Sequence, residues 1–269
     1  MAAAAEEGRD DAMSLNANSA SERAIQGLSF GNAAWEYERG RPGYPREVVD
    51  VAELSATARV LDLGAGTGRL TRLLVERFAD VVAVEPSTEM RTLLTTLLPS
   101  VTAFEGTAEA IPLPDGSVDA VFCAEAFHWF DWPVALTEIA RVLRPPAVLV
   151  LVFNAGGWVT EPSLPEAASE VAESYRRPGV NPGGRVIQSG AWREPFAKSP
   201  FLALQLETFE HVHLSDREGM IAWTLSLSTF SSLPAEAREQ MAEALRHVLP
   251  ETEYRTSMRV DVWSTRLAP

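Results

Sequence analysis

A glycine-rich loop between a buried strand and a helix restricts what this chain can fold into. The apolar run at residues 60–63 leads directly into Gly64-Ala65-Gly66-Thr67-Gly68, and a helical spacing of apolar residues follows. In doubly wound α/β proteins the turn after the first strand binds a cofactor. Glycine lets the backbone approach a ligand closely, and the amides that open a helix attract a carboxylate. The loop therefore predicts a cofactor site lined by Gly64, Ala65, Gly66 and Gly68.

Short β-branched runs alternate with helical stretches around this loop. Five runs predict strands, at residues 59–63, 81–85, 101–105, 118–123 and 147–153. Three segments with apolar residues three and four positions apart predict helices, at residues 68–78, 88–98 and 134–143. Near-continuous apolar strands are typical of a sheet that is covered on both faces. The pattern predicts an α/β fold with a doubly wound parallel sheet.

Changes in composition and in the spacing of apolar residues divide the chain into four segments. Residues 1–27, rich in Ala, Ser, Asn and acidic residues, predict a disordered tail, and residues 28–154 predict the cofactor-binding core with an N-terminal lid segment. The lid segment contains predicted helices at residues 30–37 and 46–52. Residues 155–200, rich in Gly, Pro and Trp with one helical stretch at 164–175, predict a cap insertion. Residues 201–269 complete the core sheet with strands at 201–212 and 255–266, and add cap helices at 216–230 and 234–248.

Charge and cysteine content limit the partners that we expect. The chain has 37 acidic against 23 basic residues and a net charge of -14, which repels phosphate backbones and anionic membranes. We therefore expect neither a nucleic-acid nor a membrane partner. Cys123 is the single cysteine, and the N-terminus lacks the pattern of a signal peptide, so we expect a cytoplasmic protein. No metal site is predicted, and both a monomer and a homodimer stay open.

Two acidic residues near the loop indicate which cofactor it binds. A dinucleotide fingerprint requires glycine at its sixth position, but Arg69 stands there. Asp62 precedes the loop, where a carboxylate would repel a pyrophosphate and attract an α-ammonium group, directly or through water. Glu85 ends the second predicted strand, at the spacing where an acid accepts hydrogen bonds from ribose hydroxyls. These features favour a zwitterionic nucleoside over NAD as the ligand of the loop. The alternative interpretation is that the glycines form a tight turn and that the two carboxylates are solvated charges.

Several segments, in order along the chain, resemble the class I S-adenosylmethionine-dependent methyltransferases. The similarity is to the small-molecule group that resembles ubiquinone-biosynthesis enzymes. The segments are Tyr37 with Arg41-Pro42 and Tyr44-Pro45, then VLDLGAGTG, AVEPS, GTAEAIPLPDGSVD and FHWF. The resemblance implies a Rossmann-like seven-stranded sheet, mostly parallel with an antiparallel last strand. It also implies S-adenosylmethionine as cofactor, S-adenosylhomocysteine as product and a small-molecule methyl acceptor.

The resemblance assigns roles to individual residues as well. Tyr37 belongs to a lid over the cofactor, Glu85 binds the ribose, and Ala108 with Glu109 lies beside the adenine. Thr107 stands where many similar enzymes have an aspartate that contacts the adenine amine. The cofactor-binding residues implied in addition to Asp62 and the glycine loop are Tyr37, Glu85, Pro86, Thr107, Ala108, Glu109 and Glu125.

The acceptor side of the site is less determined by the sequence. His128 follows the fourth predicted strand, at the sheet edge where ligands gather, and is our candidate general base. An alternative interpretation is that His128 and Trp129 pack against the cofactor or the next helix. Aromatic residues of the cap half, including Trp192 and Trp223, suit an apolar acceptor or an ordinary core. Two further functions stay open: a non-catalytic S-adenosylmethionine-binding protein and a nicotinamide-dependent oxidoreductase.

Overall fold

The glycine-rich loop lies at the carboxyl edge of a seven-stranded sheet. The computed structural model describes residues 33–154, 164–177, 187 and 189–268. The strand order is β3-β2-β1-β4-β5-β7-β6. The strands are β1 (Arg59–Leu63), β2 (Asp80–Val84), β3 (Thr102–Phe104), β4 (Val118–Ala124), β5 (Leu143–Phe153), β6 (Gln205–Ser215) and β7 (Tyr254–Arg266). The predicted tail at residues 1–27 and residues 155–163, 178–186 and 188 of the predicted cap lie outside the described residues.

Strand directions agree with the predicted fold. The first five strands are parallel, with β1 between β2 and β4, while β7 is antiparallel to both β5 and β6. The central strands are almost continuously apolar and buried, because helices cover both faces of the sheet. The Rossmann-like seven-stranded sheet with an antiparallel last strand is confirmed.

The helices follow the apolar spacing of the sequence with one clear difference. They are α1 (Ala34–Gly40), α2 (Arg69–Arg77), α3 (Thr88–Leu97), α4 (Trp132–Val142), α5 (Glu166–Ser174), α6 (Arg217–Leu225), α7 (Ser228–Ser231) and α8 (Ala235–Val248). Three 3-10 helices accompany them, at Arg46–Ala52, Phe127–Trp129 and Ala191–Lys198. The helix expected at 216–230 is interrupted, since Leu227 is extended and buried. The Arg41 guanidinium also donates to the Ser226 carbonyl at the break, at 3.1 Å.

Two apolar clusters cover the two faces of the sheet. On one face, α2 and the Arg46–Ala52 helix pack Leu70, Leu74 and Val48 against the strands. On the other face, α4 contributes Leu136 and Ile139. These two layers hold the strand ends, and with them the glycine loop, in fixed positions.

The predicted cap divides between two places in the structure. Its α5 packs against α8 in a separate helical cluster that also contains Trp223 and Met241. Its 3-10 helix Ala191–Lys198 instead inserts Trp192 and Phe196 into the cluster on the α4 face of the sheet. The Trp192 ring packs against Phe127 and Phe153, at centroid distances of 6.0 and 5.4 Å. Trp192 and Phe196 are thus core residues, because the end of the sheet offers them an aromatic surface.

The described part of the chain lacks two kinds of feature. None of its helices is both long and apolar enough to span a membrane. The same residues contain no group of three or more His, Cys, Asp or Glu side chains placed to hold a metal ion.

Candidate active site

The glycine loop makes a sharp turn from β1 into α2. Gly64, Gly66 and Gly68 have φ angles of 72°, 58° and 91°, in the left-handed region that favours glycine. Gly64 donates to the Val84 carbonyl of β2 at 2.8 Å. A Cβ atom at Gly64 would lie 2.6 Å from the Cβ of Ala126. The turn is therefore specific to glycine, and it brings the end of β1 against the segment that follows β4.

Glu85 lies directly after β2 and is held against the glycine loop. It is buried, and its two carboxylate oxygens accept hydrogen bonds from the backbone amides of Gly66 and Ser87, both at 2.9 Å. Burial raises the pKa of Glu85, while these two hydrogen bonds oppose the increase. Each carboxylate oxygen has a second lone pair. The carboxylate is thus fixed in place and can still accept hydrogen bonds from a ligand.

Asp62, in β1, is a buried carboxylate with one unsatisfied oxygen. Its Oδ2 accepts a hydrogen bond from the Thr71 hydroxyl of α2 at 2.7 Å. Its Oδ1 has no hydrogen-bond partner among the described residues. Burial raises the pKa of Asp62 to about 7. A donor or a positive charge on a ligand would satisfy this oxygen and favour the ionised form.

The lid segment is tied to the glycine loop through Glu38, a residue that no sequence motif singles out. The Glu38 carboxylate accepts from the Thr67 hydroxyl at 2.7 Å and from Arg72 at 2.5 Å. Arg69 donates to the Glu38 backbone carbonyl at 2.6 Å. Glu38 thus connects α1, which carries Tyr37, to the first turn of α2.

The other end of the lid helix contacts the helical cluster. A Cβ atom at Gly40 would lie 2.0 Å from the backbone nitrogen of Trp223, so α1 and α6 are in close contact there. Arg41 donates to the Ser226 hydroxyl at 2.9 Å and lies over the Tyr37 ring at 5.3 Å. The lid therefore bridges the glycine loop and α6.

Comparison with known proteins shows the family. The family described as "Methyltransferase domain" matches residues 61–151. An uncharacterized methyltransferase of Mycobacterium tuberculosis is 42% identical over 231 residues, which are 84% of this chain and 88% of the relative. An uncharacterized methyltransferase of Schizosaccharomyces pombe is 33% identical over 83% of this chain and 88% of the relative. This chain belongs to the methyltransferase family.

Solved structures agree with that assignment. A putative type II methyltransferase from Anaeromyxobacter dehalogenans has a TM-score of 0.59 at 25% identity, over 85% of this chain and 99% of the other. A Bacillus subtilis protein has a TM-score of 0.52 at 22% identity, over 82% and 96% of the two chains, and shows the same fold. The predicted membership in the class I methyltransferases is confirmed.

The methyltransferase places the residues predicted to contact adenine in the turn that follows β3. Ala108 is buried, and Thr107 forms an isolated bridge with Ala110. One carboxylate oxygen of Glu109 accepts from the Asp131 amide at 2.8 Å. Glu109 therefore connects this turn to the start of α4. Its contact with adenine stays a prediction.

Arg91 holds the segment that includes Pro86. Its guanidinium donates to the carbonyl oxygens of Glu85 and Pro86, at 2.7 and 3.3 Å. The start of α3 is capped by Ser87, whose hydroxyl accepts from the Met90 amide at 3.3 Å. The peptide after β2 is thus fixed from both sides, which orients the Glu85 carboxylate.

Glu125 and His128 both follow β4 and have different surroundings. Glu125 lines a small cavity between the lid and α6. His128 is 5% exposed, its ring lies 4.4 Å from that of Trp129, and it does not line that cavity. The role of His128 as general base stays a prediction. Asp131 is the N-cap residue of α4, and its side chain makes no capping hydrogen bond.

Proposed function

We propose that this methyltransferase uses S-adenosylmethionine as its methyl donor and acts on a small-molecule acceptor. The arrangement of Asp62 and Glu85 around the glycine loop carries the proposal. Asp62 lies in β1, and Glu85 lies directly after the adjacent β2 and accepts a hydrogen bond from the Gly66 amide of the loop. A zwitterionic nucleoside has an ammonium group, a carboxylate and ribose hydroxyls, and thus suits such a site.

The residues around the loop can each be matched to a chemical group of S-adenosylmethionine. The unsatisfied Oδ1 of Asp62 can accept from its α-ammonium group, directly or through water. Glu85 can accept from the ribose hydroxyls, while the positive φ angles of the loop leave the backbone accessible to a ligand. Bound there, the cofactor supplies a methyl group on a sulfonium that needs little activation. The tasks left to the protein are positioning and the exclusion of water.

The remaining predicted contacts complete the proposed cofactor site. Tyr37 is half-buried in the lid, and burial raises the pKa of its hydroxyl. The hydroxyl is protonated at neutral pH and can donate a hydrogen bond. The turn 107–109 and Pro86 would flank the base, and the main chain at Glu125 would approach the methionine part. S-adenosylhomocysteine would leave the same site as product.

A small-molecule acceptor is favoured by the charge of the chain. A net charge of -14 opposes the approach of a nucleic acid. The relatives at 42% and 33% identity are named methyltransferases, which favours catalysis over a purely binding role and over a nicotinamide-dependent reaction.

Calorimetry with S-adenosylmethionine, S-adenosylhomocysteine and NAD tests the proposal. We expect both sulfur nucleosides to bind at one site per chain, with no heat from NAD. Binding of NAD in preference to S-adenosylhomocysteine, or of neither, would contradict the proposed cofactor. A metabolite panel with methyl-labelled S-adenosylmethionine, read by mass spectrometry, then identifies acceptors.

A further inference from the structure

A small cavity lies where the lid, α6 and the ends of β4 and β5 meet. It has room for a water-sized group. Its walls include three aromatic and three polar side chains: Tyr37, Tyr44, Trp223, Arg41, Glu125 and Asn154. The carboxyl ends of β4 and β5 are the side of the sheet where ligands of this fold bind. Two of the wall residues, Tyr37 and Glu125, are also predicted cofactor contacts, so the cavity adjoins the proposed cofactor site.

Asn154 lines this cavity and carries a buried oxygen that is not hydrogen-bonded to any described residue. The residue follows β5, is 8% exposed, and its Oδ1 has no hydrogen-bond partner in the described part of the chain. Its side-chain nitrogen makes a long hydrogen bond to the Gly43 carbonyl, at 3.5 Å. A buried oxygen without a donor is costly. A ligand with an N–H or O–H group would remove that cost.

Glu125 adds a carboxylate beside that acceptor. One of its oxygens accepts a hydrogen bond from the backbone amide of Asn154, so the carboxylate and the Asn154 side chain come from neighbouring points of the two strands. Burial raises the pKa of Glu125, while this hydrogen bond and the charge of Arg41 oppose the increase. The result is a carboxylate that is suited to accept a proton.

The backbone at Glu125 is unusual for a side chain of this size. Its φ angle is 52°, in the region that glycine adopts without cost. Glu53 is the other non-glycine residue with a positive φ among the described residues, and it lies at the exposed end of a 3-10 helix. Strained backbone of this kind is concentrated at functional sites. At Glu125 it accompanies a carboxylate in the cavity.

Arg41 lines the cavity but does not donate a hydrogen bond to the Asn154 oxygen. Its guanidinium is bound by the hydroxyl and the carbonyl of Ser226, at 2.9 and 3.1 Å. It also lies over the Tyr37 ring. These contacts hold Arg41 in the wall of the cavity, and the Asn154 oxygen stays without a partner in the described residues.

We propose that this cavity binds an amino nitrogen of the methyl acceptor and that Glu125 is the catalytic base. The inference rests on the proposed function. The ammonium form of the acceptor gives one proton to the Glu125 carboxylate. The nitrogen lone pair then forms the new N–C bond to the donor's methyl carbon, and the C–S bond breaks with its electron pair left on sulfur. The products are a methylated ammonium and a thioether, and Glu125 returns its proton to water.

The class of acceptor follows from the two acceptor groups. A primary ammonium has three N–H donors, so it can donate to Asn154 and to Glu125 at the same time. Transfer of one proton to Glu125 leaves a lone pair to attack the methyl group and an N–H that still donates to Asn154. An alcohol has a single O–H donor and would leave one of the two oxygens unsatisfied. A carboxylate or a phosphate would be repelled by Glu125. The aromatic walls favour a cation before it loses its proton.

The test uses the full chain and matched primary amines, alcohols and carboxylates with identical alkyl and aryl tails. Binding of each probe is measured by calorimetry in the presence of S-adenosylhomocysteine, and methyl transfer from labelled S-adenosylmethionine is located by mass spectrometry. We expect label on nitrogen only. Label on oxygen, or amines that neither bind nor react while S-adenosylhomocysteine binds, would overturn the inference. Failure of S-adenosylhomocysteine itself to bind would contradict the proposed function instead.

Variants separate Glu125 from its neighbours. Glu125→Gln keeps the side-chain size, and we expect turnover of the amine to fall about 100-fold or more with the affinity for S-adenosylhomocysteine unchanged. Asn154→Leu should raise the KM of the amine about tenfold, and the exposed Glu207→Gln should change neither. A loss of S-adenosylhomocysteine binding in Glu125→Gln would assign Glu125 to the cofactor and overturn the inference. The inference would also be overturned if His128→Gln lost N-methylation while Glu125→Gln retained it.

Discussion

The Glu38 carboxylate of the lid accepts a hydrogen bond from the Thr67 hydroxyl of the glycine loop at 2.7 Å. Thr67 is fully buried, and the same carboxylate accepts from Arg72 at 2.5 Å. These contacts join a residue next to Tyr37 to the loop that would hold the cofactor. The lid and the loop therefore share one hydrogen-bond network, and a change at Glu38 should affect cofactor binding without direct contact.

Glu38→Ala should weaken the binding of S-adenosylhomocysteine. The substitution leaves Thr67 and Arg72 without their acceptor, and such a loss costs on the order of 1 to 3 kcal/mol, or roughly 5- to 150-fold in Kd. Calorimetry measures the change. Glu47→Ala, which removes an exposed carboxylate from the Arg46–Ala52 helix, is the control and should bind as the unmodified chain does. Equal affinity in both variants would show that the lid closes independently of Glu38.

Glu85→Ala should weaken cofactor binding by on the order of 1 to 3 kcal/mol, because acceptors for the ribose hydroxyls are lost. Glu85→Gln is the more specific variant, since it preserves the size of the side chain. Isothermal titration with S-adenosylhomocysteine measures the affinity. Unchanged affinity in both variants would remove the ribose assignment. Thermal melting without ligand shows how much the bonds from the Gly66 and Ser87 amides contribute to the fold itself.

The local sequence pattern was sufficient to predict where in the fold the loop, Asp62 and Glu85 lie. The loop, Asp62 and Glu85 lie at the ends of strands that apolar runs reveal, and the fold then brings those ends together. Contacts between distant segments could not be predicted in this way. Arg41 and Ser226 are 185 positions apart, and Glu38 and Thr67 are 29 apart. Their meeting depends on how α1 packs, which no periodic pattern in one segment encodes.

Asp62 should make the ligand-free protein less stable as the pH rises from 5 to 8. The folded-state pKa of about 7 lies above the ordinary aspartate value of 3.8, so the folded form holds its proton more strongly than the unfolded chain does. That contribution is complete below about pH 4 and is lost as the pH passes through 7. The difference between these pKa values corresponds to at most about 4 kcal/mol. Urea unfolding at several pH values should show a shallower decline for Asp62→Asn than for the unmodified chain.

Cofactor binding should show the opposite dependence on pH at Asp62. An ammonium group favours the ionised carboxylate, so the affinity for S-adenosylhomocysteine should rise between pH 6 and 8, with release of a proton on binding. Titrations in two buffers of different ionisation enthalpy measure that release. Burial also raises the pKa of Glu85 and Glu125, so these groups can release protons on binding as well. The proton release due to Asp62 is therefore the difference between the unmodified chain and Asp62→Asn. Identical proton release in the two proteins would contradict an ammonium contact at Asp62.

Gly64→Ala should destabilise the fold more than Gly116→Ala does. Both glycines have positive φ, at 72° and 57°, and placing alanine in that region costs about 1 to 2 kcal/mol. A Cβ atom at Gly116 meets nothing within 4 Å, whereas one at Gly64 lies 2.6 Å from the Ala126 Cβ. Gly116→Ala therefore reports the backbone cost alone, and the excess at Gly64 reports the contact between the loop and the segment after β4. Urea unfolding measures both free energies, and equal losses would mean that this segment moves aside easily, which would weaken the case for a fixed position of Glu125 beside the loop.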